Sequence, residues 1–376
     1  MWSGILRELR YLSTHKWDLS MVTVVPLLII VMMSAMFYSG KAEHLPIALI
    51  DQDQSQLSRN VEKYLSQNQS LKIDLVTHNI DEAEQWLNQN KVWGYVHIPS
   101  GAEQRLVQAK DAGISVAYNQ SYFSVGNIIS SAMSMSVVQA ISDYLGEEYL
   151  AESIPYADVS TPNVKISVLY NPGMSYEFYL ELFAIPAILH LLLGCCVAFS
   201  IGQEFKFNKA QHWLEHYGIF TALSSKILVY VLIFSLWTWL WMFWLIEYRD
   251  WFIAGHLWLI ILAQFIFYAA YGFMAAMTVL IIKDLAESFG VIAIYGGSSL
   301  SFAGVTLPVN NASAFTRSWS DLIPYTTYAK LQTQQWVMGS SISTSLPMLL
   351  ILIIFCSVFA TICLVMLHRY KKGATA

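Results

Sequence analysis

Six uncharged apolar runs, unevenly spaced, constrain this chain more than any other feature. The first is Leu19–Gly40. The others are Leu182–Gly202, Ile227–Ile246, Leu257–Ile282, Phe289–Pro308 and Leu346–Leu367. Each holds about 20 residues or more, enough to cross a hydrocarbon core about 30 Å thick at a rise of about 1.5 Å per residue. A soluble core does not need six such runs. Charged residues make up only 12% of the chain, in keeping with this. The expected fold is a polytopic α-helical membrane protein. Six transmembrane helices are arranged 1+5, with an α/β extracytoplasmic domain inserted after the first.

Orientation follows from the basic residues. An even number of spans puts both termini on one side. That side holds Arg7, Arg10, Lys16, Lys206, Lys209, Lys226, Lys283, Arg369, Lys371 and Lys372, whereas the short loops opposite hold Arg249, Arg317 and Lys330. The positive-inside rule places both termini in the cytoplasm. The polar insert carries 15 Asp and Glu against 8 Lys and Arg between Lys41 and Tyr176. The net charge of −5 is therefore largely external and argues against nucleic acid as a partner. The first run is too long for a signal-peptide core and lacks a small-residue cleavage site. Cys195, Cys196, Cys356 and Cys363 all fall in apolar runs, so the insert must fold without disulfides. These traits suit a bacterial inner membrane.

The segments divide as follows. Residues 1–18 form an amphipathic elbow, with Trp2, Ile5, Leu6, Leu9 and Leu12 at helical spacing. Residues 19–40 are the first span and 41–177 the external domain. Within the domain, strand-like Ile47–Ile50, Leu71–Val76, Val92–Ile98 and Ile114–Tyr118 alternate with helical Leu57–Leu65, Ile80–Asn90 and Glu103–Gln108. Asp81 suits the N-cap of the second of these helices. The β-α-β-α-β-α-β order implies a small α/β domain, and Asn127–Leu150 reads as a long return helix. Spans follow at 178–202, 225–248, 256–282, 288–308 and 346–367. A cytoplasmic helix lies at 203–224, outer interfacial helices at 309–345 and a tail at 368–376.

No Gly-x-x-x-x-Gly-Lys-Ser/Thr occurs, so the chain supplies no P-loop of its own. His212-Trp-Leu-Glu215-His216 matches the H-x-x-E-H pattern of inverted zinc proteases. It lacks a clear third ligand nearby, and a solvated or partner-facing helix surface is the better reading; no metal is expected. His190 sits mid-span and is a candidate for lining a substrate path, or for hydrogen bonding a neighbouring helix. Glu181 is nine residues away and points to the opposite side, which argues against a proton relay between them. Trp237, Trp239, Trp241 and Trp244 cover more than one helix face, as expected for an aromatic belt plus packing.

Several local signatures resemble the permease subunits of ABC-2 type exporters, in order along nearly the whole chain. They are Arg7-Glu-Leu-Arg10 through Pro26-Leu-Leu-Ile-Ile, Ile47-Ala-Leu-Ile-Asp51-Gln-Asp53-Gln-Ser55-Gln-Leu-Ser58-Arg59, and Gly94-Tyr-Val-His-Ile-Pro99. Then come Tyr170-Asn171-Pro172, Gly202-Gln-Glu204, Phe302-Ala-Gly304-Val-Thr-Leu-Pro308 and Leu322-Ile-Pro324-Tyr-Thr-Thr-Tyr328. After Gly-x-Glu the family usually continues with a basic-acidic pair and Gly-Thr. Here the chain reads Phe205-Lys206-Phe207-Asn208-Lys209-Ala210, so coupling geometry or the matching groove differs.

The resemblance implies no catalytic residue and no cofactor in this chain, with ATP and Mg held by a partner ABC ATPase. It also implies a second permease copy or paralogue, and admits a periplasmic membrane-fusion protein. Gly202, Glu204, Phe205, Lys206, Trp213 and Leu214 would couple to the ATPase, with Trp213 and Leu214 in its groove and Phe205 and Phe207 on lipid. His190, Gly296, Gly297, Gly304, Pro308 and Trp319 would form a substrate path or outer gate, the fifth span breaking at its glycines. The expected cargo is an amphipathic or hydrophobic molecule, a drug or a lipid-linked compound, moved out of the cytoplasm or inner leaflet. The alternative is a membrane-anchored external sensor that binds without transport.

Overall fold

The computed structural model describes residues 1–38, 43–119, 123–146, 175, 177–306, 309 and 312–374. The chain divides into two compact units, Met1–Tyr38 with Tyr179–Ala376, and Ser39–Phe178.

The first unit opens with α1 (Trp2–Thr14), α2 (Lys16–Val22) and α3 (Val24–Phe37). The expected single elbow of 1–18 is thus two helices. His15 is extended, and its ring stacks on Tyr11 at 4.0 Å. Gly4, Glu8 and Leu12 are the buried positions of α1, spaced four apart along one stripe. The break between α2 and α3 has a cause in Pro26. Proline has no N–H, so the carbonyl four residues back, at Val22, loses its helical donor. The Trp237 indole N–H donates to it instead, at 2.9 Å.

The second unit runs β1 (Leu45–Asp51), α4 (Gln56–Gln67), β2 (Leu71–Thr77), α5 (Ile80–Asn88), β3 (Gly94–Ile98), α6 (Ala102–Val107), β4 (Ser115–Tyr118) and α7 (Phe123–Tyr144). Its sheet has the order β2-β1-β3-β4, parallel at the first two pairings and antiparallel at the last. Central β1 is covered on both faces, which is why Ile47–Ile50 is continuously apolar rather than alternating. Ile47 and Leu49 pack with Leu57, Val61 and Leu65 of α4 and Ile129, Met133 and Val137 of α7. Ala48 and Ile50 pack opposite, with Ala83 and Val92. The N-cap of α5 is Asn79, which accepts the Asp81 amide at 2.9 Å; Asp81 itself lies inside the helix. Two helix ends are capped reciprocally. Asp53, just before α4, accepts the Ala102 and Glu103 amides at the start of α6. Glu103 accepts the Gln56 and Leu57 amides at the start of α4.

The rest of the first unit is α8 (Leu182–Lys206), α9 (Ala210–Tyr217), α10 (Ile219–Tyr248), α11 (Leu257–Ile282), α12 (Leu285–Gly297), α13 (Ser299–Phe302), α14 (Ala314–Asp321), α15 (Pro324–Gln332) and α16 (Ile342–Ala374). Pro186 lies inside α8 and strips the Leu182 carbonyl of its donor, as Pro26 does to Val22. The Gln332 side-chain amide supplies the replacement, at 3.0 Å. Membrane helices tolerate proline where a neighbour re-satisfies the backbone in this way.

Among the described residues, six helices are long and apolar enough to cross a membrane. Five correspond to apolar runs of the sequence. The run Phe289–Pro308 does not make a single helix of that length: it is divided between α12 and α13 at Ser298, next to Gly296 and Gly297. Val125–Tyr144 meets the criterion in its place. Its apolar stripe, Ile129, Ala132, Met133, Val137 and Ala140, is spent on the α/β core. Packing, not lipid, accounts for its composition.

Candidate functional site

A buried charged cluster joins α1, α8, α9 and α10. The Lys226 ammonium donates to Glu204 Oε1 at 2.9 Å and to the Ser200 carbonyl at 3.0 Å, and lies 3.4 Å from Glu8 Oε2. Those contacts match its three donors. Glu8 Oε1 accepts from Ser200 Oγ at 2.6 Å and from Tyr230 OH at 2.8 Å. Arg7 Nη2 reaches Glu204 Oε1 at 2.9 Å, and Tyr11 OH donates to Gln203. Two carboxylates thus meet two cations. The Lys226, Glu8 and Glu204 side chains are only 7%, 4% and 7% exposed. Desolvated ions are tolerable at that burial because each faces an opposite charge; Glu204 Oε2 is buried with no hydrogen-bond partner among the described residues. Lys226 also sits 5.5 Å from the Trp213 ring centre, and Arg7 5.8 Å from that of Tyr217. Close approach of α1 depends on Gly4, since a Cβ there would stand 2.3 Å from Ser225 Oγ.

Of these residues, sequence reasoning singled out Glu204 and Trp213 as coupling sites. It read Arg7 and Lys226 as markers of orientation and passed over Glu8, Ser200 and Tyr230. A signal for Glu8 did exist: it shares the four-residue stripe of Gly4 and Leu12.

The expected coupling residues divide by burial. Trp213 and Leu214 are 3% and 0% exposed within the chain itself, against the expectation that they enter an ATPase groove. α9 is amphipathic, and its apolar face is needed for packing under the spans. Gln211, His212, Glu215 and His216 form the exposed face. His212 and His216 stack at 6.0 Å, and Gln211 donates to Glu215. Phe205 is half-buried, its ring 5.2 Å from that of Tyr370 of α16, while Phe207 is exposed. Lys206 is exposed. Gly202 is buried against α12, where a Cβ would stand 2.3 Å from Leu285.

Of the expected path residues, His190 and Gly296 meet in a second, buried cluster. His190 is fully buried, its Nδ1 3.0 Å from the Pro186 carbonyl and its Nε2 3.4 Å from Ser299 Oγ. Tyr271, Phe267 and Tyr325 surround the ring at 4.1, 5.3 and 5.6 Å. Gly296 is where α12 passes over it, a Cβ there falling 2.9 Å from Leu191 and 3.5 Å from His190 Nε2. Gly297 is exposed, and Gly304 takes φ +76. Trp319 of α14 donates to Ser298 at the helix break, at 3.1 Å. Tyr295 OH donates to the Leu322 carbonyl at 2.6 Å. Arg317 and Asp321, one turn apart on α14, form no ion pair with each other among the described residues. Pro308, and the Tyr170-Asn171-Pro172 string, lie outside the described residues.

Long apolar helices around buried, mutually neutralised polar side chains define a multi-pass membrane protein. The model of the ABC-2 family transporter proteins matches residues 16–365, and the chain belongs to that family. It is a membrane permease component of an ABC transporter, a class generally without enzymatic activity of its own. No curated protein matches the chain.

Proposed function

We propose that this permease is the membrane half of an exporter that works as a dimer with a separate ABC ATPase. Its cargo is an amphipathic or hydrophobic molecule leaving the cytoplasm or inner leaflet of a bacterial inner membrane. The observation that supports this best is the charged cluster. It ties the elbow α1, spans α8 and α10, and the short helix α9 into one body, so a push on α9 is delivered to two spans at once. Nucleotide-driven motion of an ATPase would move such a body as a unit, the usual form of a two-state rigid-body transition. The ATPase contact is assigned to the exposed face of α9, Gln211, His212, Glu215 and His216, with Trp213 and Leu214 holding that helix to the spans. At the other end, α14 and α15 with Trp319 and the α12–α13 break form the outer gate.

Purification of the native complex tests this reading. A P-loop ATPase should come with the permease and form a disulfide with Glu215→Cys when cysteines are scanned across its groove. Recovery of the intact permease with no ATPase, under conditions that preserve other ABC complexes, defeats it.

A further inference from the structure

The first unit contains a groove of about 510 Å³ between α3 and α10 that belongs to neither cluster above. Its walls include Leu27, Val31 and Tyr38 on one side and Trp237, Trp241 and Trp244 on the other. Three of the polar groups along it are turned away to partners. Ser34 Oγ and Trp241 Nε1 both donate to buried Glu181, at 2.6 and 3.0 Å, and Trp237 Nε1 holds the Val22 carbonyl. These bonds pin Trp237 and Trp241, and the groove surface is almost wholly apolar. A preformed wall lowers the ordering cost of binding.

Two further features identify the occupant. From Leu27 to Tyr38 the wall spans about 16 Å of helix at about 1.5 Å per residue, half of a hydrocarbon core about 30 Å thick. That is the depth of one leaflet. At the Tyr38 end stands Arg249, its guanidinium 4.3 Å from the Tyr38 ring centre and donating to the Tyr38 carbonyl at 3.2 Å. A planar cation held at the end of an apolar trough complements a phosphate attached to an acyl chain.

We infer that this groove binds one acyl chain of a membrane phospholipid, with the lipid phosphate at Arg249. The site is a fixed lipid position on the flank of α3 and α10. It requires only that the chain is in a membrane, and stands or falls independently of the export reading.

Photolabelling tests it. The full chain is placed in vesicles of phosphatidylethanolamine and phosphatidylglycerol containing a phosphatidylethanolamine with a mid-chain diazirine, and adducts are mapped by mass spectrometry. Adducts on α3 and α10 groove residues should exceed those on the exposed α16 residues Ile354 and Val358 by about fivefold. Filling the groove with Val31→Phe and Ala35→Phe should abolish that excess and leave α16 labelling unchanged, which also reports an intact fold. Arg249→Gln should cut groove labelling about threefold for the phospholipid probe and not at all for a diazirine fatty alcohol lacking phosphate. Equal labelling of groove and α16 overturns the proposal. So does groove labelling indifferent to Arg249, which would mark a general apolar cleft open to any amphiphile, transported cargo included.

Discussion

Both units bury apolar side chains, but they use their buried polar ones differently. The α/β unit fills both sides of β1 with apolar side chains and leaves Asp53 and Glu103 to cap helix ends near its surface. The helical unit buries Glu8, His190, Glu204, Lys226, Gln264 and Gln332, while Val31, Ile294 and Ile354 stand 58%, 68% and 59% exposed. Where the surrounding solvent is hydrocarbon, apolar burial between helices gives little driving force, and polar contacts together with close packing determine which helices meet. Polar side chains inside the helical unit therefore act as fasteners, whereas in the α/β unit they finish helix ends.

The largest test of this contrast is Lys226→Met. Removing the shared cation strands Glu8 and Glu204 without their main partner. It should cost about 3–5 kcal/mol, the usual price of an uncompensated buried charge, seen as loss of thermal stability of the solubilised chain. A cost below about 1 kcal/mol would mean that water reaches the cluster and that the fastener reading is wrong.

A sharper test concerns the proline-vacated carbonyl. Gln332→Leu should cost about 1 kcal/mol in the natural chain. In a Pro186→Ala background an amide N–H is restored for the Leu182 carbonyl, and the same Gln332→Leu change should then cost almost nothing. Equal costs in both backgrounds would show that Gln332 acts through some other contact.

The smallest effect is expected at Asp53. Partial burial raises its carboxyl pKa, but the hydrogen bond from Ser55 and those from the backbone at Glu103, Gly101 and Ala102 outweigh it and hold the value below the ordinary one. A depressed carboxylate pKa adds stability above the unfolded value of about 3.9 and loses it as pH falls through the lower folded value. Asp53→Asn should cost at most about 1 kcal/mol near neutrality, as for other helix-end caps. Its stability curve should begin to approach that of the natural chain as pH falls below about 4 and meet it below the folded value. Local unfolding of α6, followed by hydrogen exchange, measures both.

How much could be read from the sequence differs between the units for the same reason. Apolar runs are long and local, so five spanning-length helices were legible as composition. The strands and the three short helices of the α/β unit were legible as alternation, within a residue or two, whereas the long helix α7 begins at Phe123, four residues before the expected Asn127. Fasteners are non-local. Nothing near Glu8 announces Lys226, 218 positions later, and only the stripe of Gly4, Glu8 and Leu12 hinted that this charge faces inward. The orientation of Trp213 was misjudged because an amphipathic helix shows which residues share a face, not whether that face meets its own chain or another. The length of Phe289–Pro308 suggested one helix, whereas α12 and α13 are divided where Gly296, Gly297 and Ser298 fall together. Asp81 looked like a cap because aspartate suits that position, yet Asn79 stands two residues earlier and takes the role.

The reciprocal caps carry a practical consequence for anyone exchanging α/β domains between related permeases. Asp53 completes a helix that begins 49 residues later, and Glu103 completes one that began earlier. A chimaera whose junction falls between them would inherit one half of each handshake from a different parent. Both helices would then start with exposed amides at the same moment. Junctions placed before β1 and after α7 keep the two acids in one cassette, and the grafted domain arrives with both of its helix starts already closed.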